Sequence, residues 1–106
     1  MTELLKGFQR KYLRSLGHRL KPVVLVGQKG AAENVVEALE EALAHHELAK
    51  IKFIANKDRT EKSKMADELR QVTGAHLVGT LGHTALFYRP HPQPDQRKIV
   101  LPQRDK

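Results

Sequence analysis

The sequence predicts an α+β domain of two layers, with helices over a four-stranded mixed sheet in the order α-β-α-β-α-β-β. Three observations lead there. Apolar residues recur at intervals of three and four in three segments, which is the period of a half-buried helix. Four shorter segments carry apolar runs or strict alternation instead, which suits strands. Glycine or proline stands at four of the six junctions between them.

The first helix spans residues 2–16, with Leu5, Phe8, Tyr12 and Leu16 on one side, Lys6, Arg10 and Arg14 opposite, and Gly17 as its stop. Lys21-Pro22 then forces extended backbone, and Val23 to Val26 form a short buried strand. Gly27-Gln28-Lys29-Gly30 follows at once as a tight loop. A second helix, Ala31 to His46, turns Val35, Val36, Leu39 and Leu43 inward and its glutamates outward. Glu33 sits at the positive end of its dipole, and His45 and His46 at the negative end.

"AKIKFIA" alternates Ile51, Phe53 and Ala55 with Lys50, Lys52 and Ile54, as a strand with one apolar face does. Asp58 with Glu61 three residues on resembles a capping box that opens a third helix to Thr73, ended by Gly74. "AHLVGTL" and "TALFYR" pair across Gly82-His83 as a hairpin. Beyond Tyr88, four of the five prolines make the chain extended, with Ile99 to Leu101 laid against the body. One domain, residues 1–102, and a flexible tail, residues 103–106, account for all 106 residues.

Charge narrows the function. The 19 Lys and Arg and 12 Asp and Glu give a net charge of +7. Residues 1–30 hold Lys6, Arg10, Lys11, Arg14, Arg19, Lys21 and Lys29 against Glu3 alone, a local charge of +6. Residues 31–49 reverse the sign, with five glutamates and no Lys or Arg. A molecule polarised in this way offers one surface to a polyanion. The absence of cysteine, of an apolar run as long as a membrane span and of a signal-peptide core makes the cytosol the expected location.

The glycine loop joins a strand to a helix start, where free N–H groups and the helix dipole favour an anion. Ala31-Ala32 after Gly30 lacks the lysine and hydroxyl of a nucleotide-hydrolase loop, and no third glycine completes a dinucleotide fingerprint. What remains is a G-x-x-G clamp of the kind that holds the sugar-phosphate chain of single-stranded nucleic acid, with Gln28 and Lys29 facing outward. Two glycines are also what any tight turn uses to reach positive φ, so the loop alone leaves both readings open. The second match, Gly79-Thr80-Leu81-Gly82, is uncharged, lies in a hairpin and reads as structural. Adjacent His45 and His46 diverge on a helix, no H-E-x-x-H or cysteine occurs, and no nucleophile-base pair is evident. No metal, cofactor, small-molecule substrate or enzymatic role is expected.

"LKPVVLVGQKG" leading into "VVEALEEALAHHELAKIKF", then "TGAHLVGTLGHTALFYRP" and "KIVLP", resemble the CRM domain (chloroplast RNA splicing and ribosome maturation) in its bacterial stand-alone, YhbY-type form. The resemblance runs from Leu5 to about Pro102. It implies a fold similar to the C-terminal domain of translation initiation factor three, and an RNA-binding, monomeric assembly factor on the precursor large ribosomal subunit. It places RNA contacts at Gly27, Gln28, Lys29 and Gly30 and on the basic first helix, Lys6, Arg10, Lys11 and Arg14, with Arg19 and Lys21 extending the charge. Tyr88-Arg89 matches the family's Tyr-Arg. Lys57, Arg59, Lys62 and Lys64 are candidates to widen the surface. The competing expectation is a basic adaptor that binds an acidic protein or an anionic membrane through the first helix.

Overall fold

Apolar residues stand side by side in two strands of this chain, and that pattern needs a sheet buried on both faces. The computed structural model describes residues 5–54 and 58–102. Helix α1 (Gly7–Gly17) is followed by β1 (Val24–Val26), α2 (Glu33–His46), β2 (Leu48–Phe53), α3 (Arg59–Thr73), β3 (His76–Leu81) and β4 (Thr84–Tyr88), with a 3-10 turn at Pro94–Gln96. The strands lie in the order β1-β2-β4-β3. Crossover helix α2 makes β1 and β2 parallel, and the other pairings are antiparallel. The expected helix start at residue 2, Ala55, Lys57 and the tail 103–106 lie outside the described residues.

The α+β class and the mixed four-stranded sheet are as expected, but the layering is not confined to two. Val24, Val26, Ile51, Phe53, Ala85 and Phe87 face α2 and α3, where they meet Val35, Leu39, Leu43, Ala66 and Leu69. Leu48, Val78, Leu86 and Tyr88 point the other way and meet Leu13 of α1, with Leu5, Leu16, Ile99 and Leu101 around them. Helix α1 therefore covers the face that α2 and α3 leave open. The run Ala85-Leu86-Phe87-Tyr88, buried at every position, records this double coverage.

Two details of burial depart from the sequence reading. The buried line of α1 is Gln9, Leu13 and Gly17, while Tyr12 is exposed. Leu5 and Leu16 flank that line and are only partly buried, packing at the margin of the same small core that Ile99 and Leu101 also border. A side chain at Gly17 would strike Leu86 at 2.6 Å, so this glycine serves close helix-sheet approach. Strand β1 is not buried throughout. Val24 and Val26 point into the core, whereas Val23 and Leu25 are 58% and 56% exposed, as alternation on an edge strand dictates.

The punctuation is as the sequence predicts. Asp58 Oδ1 accepts the Glu61 N–H at 2.8 Å to cap α3. Gly74, at φ 71°, ends that helix in the left-handed conformation, and Gly82, at φ 59°, turns the hairpin.

The one described non-glycine residue at positive φ is Glu47, at φ 65° between α2 and β2. It is 2% exposed. One carboxylate oxygen accepts the His91 N–H at 2.6 Å, and the other accepts those of Lys98 at 2.6 Å and Ile99 at 2.9 Å. The Glu47 carbonyl also accepts the Arg89 N–H at 2.8 Å. A single residue thereby ends a helix, starts a strand and fastens the chain end. Burial, and then the Glu47 charge, push the neighbouring Tyr88 hydroxyl above its usual range, against a smaller opposing effect of Arg97. Replacing Glu47 with Ala strands three backbone donors and should cost about 2–4 kcal/mol in denaturant unfolding. Glu47→Gln, which keeps one acceptor oxygen, should cost less.

Candidate nucleic-acid interface

Strand β1 ends at Val26 because Gly27 begins a turn, closed by the Gly30 N–H on the Gly27 carbonyl at 3.1 Å. Gln28 and Lys29 form its exposed tip. Gly30, at φ 64°, is buried, and a Cβ there would meet the Met65 Cε at 3.0 Å. The two glycines differ in kind, since a Cβ at Gly27 meets nothing within 4 Å. Gly30 is required by the fold, and Gly27 leaves room for something outside it.

The loop leans toward α3, where Lys29 and Gly30 share a cleft with Glu61, Lys64, Met65 and Glu68. Ala32 precedes α2 and offers no side-chain cap, so the first-turn N–H groups face the loop without a competing side chain. Among the candidates for widening the surface, Lys64 joins the loop. Lys62 instead lies 2.9 Å from His83 Nδ1, and Arg59 is exposed in the first turn of α3. Arg89 is a brace rather than a free cation. Its guanidinium donates to Glu40 Oε1 at 2.9 Å and to the Thr73 carbonyl at 2.8 Å, tying α2 to the end of α3.

The α1 cations occupy the other side of the sheet. Lys6 is the N-cap residue, its backbone N–H donating to Gln9 Oε1 at 3.0 Å, while the amide of Gln9 donates to the Pro102 carbonyl at 3.4 Å. Arg10, Lys11 and Arg14 are exposed, and Arg19 and Lys21 follow in the exposed connection to β1. Arg10 and Arg14 do not lie opposite the buried line as expected. They flank it on the β3 side, where Arg14 passes over Gly79 and the Arg10 charge reaches His76. Among the described residues, α1, β1, β3 and β4 contain no carboxylate, whereas α2 carries Glu33, Glu37 and Glu41 exposed on the far side of the molecule. The polarity expected from the sequence thus runs across the sheet.

The expected site is therefore divided into loop and helix. Lys50 and Lys52, which sequence reasoning passed over, project from β2 on the α1 side, and Lys52 stands in register between Leu25 and Thr84. Their signal was present: two lysines two apart in a strand otherwise apolar. Among the described residues, no three His, Asp or Glu are arranged to hold a metal ion.

The architecture is that of a small α+β domain, a mixed sheet with a G-x-x-G turn before its crossover helix and a basic helix on the opposite face. The CRS1 / YhbY (CRM) domain matches residues 5–89, and the chain belongs to that family. It is 40% identical over 96 residues to a protein of Haemophilus influenzae named "RNA-binding protein", covering 91% of this chain and 93% of that one. It is 32% identical over 99 residues to "Probable RNA-binding protein YqeI" of Bacillus subtilis, covering 93% and 100%. The solution structure of a Staphylococcus aureus protein, SAV1595, superposes with a TM-score of 0.79 at 30% identity, covering 93% of this chain and all of that one.

Two outcomes follow from this geometry. Gly27→Ala should leave stability unchanged, while Gly30→Ala, forced into left-handed backbone against Met65, should lose about 1–2 kcal/mol by chemical denaturation. Burial and then the Arg10 charge hold the His76 imidazole below its ordinary range. The unfolded chain then takes up a proton first, so the stability that His76 contributes above pH of about 6.5 should be lost as pH falls through the lowered folded value. Comparing denaturation midpoints of the protein and His76→Gln across that window isolates the effect from the other histidines.

Proposed function

We propose that this protein binds RNA, and that its target is the ribosomal RNA of the precursor large subunit, on which it acts in the cytosol as an assembly factor rather than an enzyme. The observation that carries the reading is an α1 helix with no carboxylate among its described residues and with Arg10, Lys11 and Arg14 exposed, in a domain that also carries an open G-x-x-G turn. The family and the relatives named as RNA-binding proteins support it. Phosphates meet the helix cations through sequence-independent attraction, and the loop holds one stretch of backbone against Gln28, Lys29 and the first turn of α2. The helix has no role in membrane insertion in this reading, because its apolar residues are already spent on Leu48, Leu86 and the chain end.

Binding to a large-subunit ribosomal RNA fragment should fall roughly a hundredfold between about 50 and about 200 mM salt, as release of a few counterions requires. Lys29→Glu should weaken binding by roughly tenfold at low salt with an unchanged melting curve, and Arg10→Glu should act similarly. An assembly factor should also sediment with precursor particles and leave mature subunits. Affinity indifferent to salt and to both variants would overturn the proposal.

A further inference from the structure

Between the last turn of α1 and the sheet lies a groove of about 270 Å³ that the loop-and-helix account does not use. Its floor is Leu86 and the backbone at Gly79, and Arg14, Lys50 and Thr84 stand around it. It exists because side chains are missing. The β-bulge between Leu77 and Gly79 places Val78 and Gly79 together opposite Leu86, and the glycine of that pair lets the Arg14 stem settle over the floor, its Cδ 3.4 Å from where a Cβ would stand. Gly17 brings α1 down onto Leu86 as the opposing wall. The Gly79-Thr80-Leu81-Gly82 segment, uncharged and structural on sequence grounds, thus shapes a concavity.

We propose that this groove seats one unpaired nucleobase of the bound RNA, a placement that rests on the RNA-binding reading. Its volume is below the roughly 300–1,000 Å³ of a drug-sized site and suits a single base. Its chemistry is that of a base with its phosphate. The floor is apolar at Leu86, the Arg14 stem lies over Gly79 with Nη1 about as close as its aliphatic carbons, and Lys50 also lines the groove. Guanidinium planes are surfaces on which unpaired bases stack, and a lysine beside such a plane meets the adjoining phosphate. Charge complementarity to Arg14 and Lys50 calls for an anionic partner, and the apolar lining at Leu81 and Leu86 favours a base with its phosphate over an acidic peptide's side chains, which gain nothing from that lining. Lys52, between β1 and β4, places a further cation between the groove and the end of the sheet where the G-x-x-G turn lies.

Two variants and two probes test it, using the full chain, a short single-stranded RNA and a duplex RNA of equal charge. Gly79→Leu fills the floor without altering charge, and its φ permits a side chain. It should weaken single-strand binding by roughly tenfold with the salt slope unchanged, and weaken duplex binding, which can feel only the displaced Arg14, by much less. Lys50→Met should weaken single-strand binding and reduce the salt slope by about one. In nuclear magnetic resonance, the single strand should shift the methyl signals of Leu81, Thr84 and Leu86. If Gly79→Leu fails to fold, Lys50→Met and the methyl signals decide. RNA that binds while those methyls stay still and both variants behave as the parent overturns the groove and leaves the RNA reading standing. No binding of either RNA by folded protein overturns the RNA reading itself, and the groove with it. Methyl shifts with a polyglutamate peptide and none with RNA would make the groove a protein site and overturn the proposal.

Discussion

The arrangement of this protein depends on a buried carboxylate. Glu47 occupies left-handed backbone that ordinarily belongs to glycine, and its side chain is consumed by three backbone donors from the chain end. Neither feature is intelligible alone. Left-handed backbone turns α2 directly into β2 with no loop between them, and it also aims the carboxylate at the segment that crosses below Tyr88. That segment then delivers Ile99 and Leu101 to the second core and the Pro102 carbonyl to Gln9 of α1. The basic helix is thus held from two sides, by the sheet through Leu13 and by the chain end through Gln9. A hydrogen-bonded carboxylate outside α1 helps to fix where the cations of that helix stand.

The double coverage of the sheet separates stability from binding. The larger core, between the sheet and helices α2 and α3, contains no charged residue and supplies most of the buried apolar surface. The smaller core under α1 is rimmed by Arg10, Arg14, Lys50 and His76, so substitutions at its margin alter surface charge with little loss of packing. Acids are concentrated on the outward side of α2, across the sheet from those bases. Such a charge distribution orients the molecule toward a polyanion before contact, and it discourages approach by the other face.

Much of this was legible in the sequence, for reasons that can be named. The Asp58 cap, Gly74 and Gly82 work through local backbone geometry, which a few neighbouring residues determine. The alternation in β2 reported the orientation of Ile51 and Phe53 correctly, because period-two burial on a central strand is the same wherever the helices lie. The position of α1 was another matter. Leu5, Phe8, Tyr12 and Leu16 form an apolar stripe, but the sheet takes Leu13 and Gly17, and Leu5 and Leu16 lie at the margin of that contact, where the chain end also packs. No local period reveals a partner some ninety residues away, such as Pro102 beneath Gln9. Glu47 was hidden for the same reason, being one more glutamate in an acidic segment until its three donors are brought to it. At the candidate site, the G-x-x-G turn was visible as a motif, whereas its separation from the α1 cations by the thickness of the sheet was not.

That separation constrains the ligand. The turn leans toward α3 and the helix lies on the opposite face, so one straight duplex resting on α1 leaves the turn unoccupied. Simultaneous engagement on the proposed reading needs an RNA that bends around the end of the sheet past Lys52, or two segments brought together by RNA folding. In the second case the two contacts act as linked binding events, each raising the effective concentration of the other. Discrimination then comes from RNA shape more than from base identity, because α1 offers charge without a hydrogen-bonding pattern and the turn offers backbone. On the proposed reading, a domain that engages two such segments would lose its second contact if the RNA rearranged. Departure from the particle would follow from the geometry of the ligand, with no energy-consuming step in the protein.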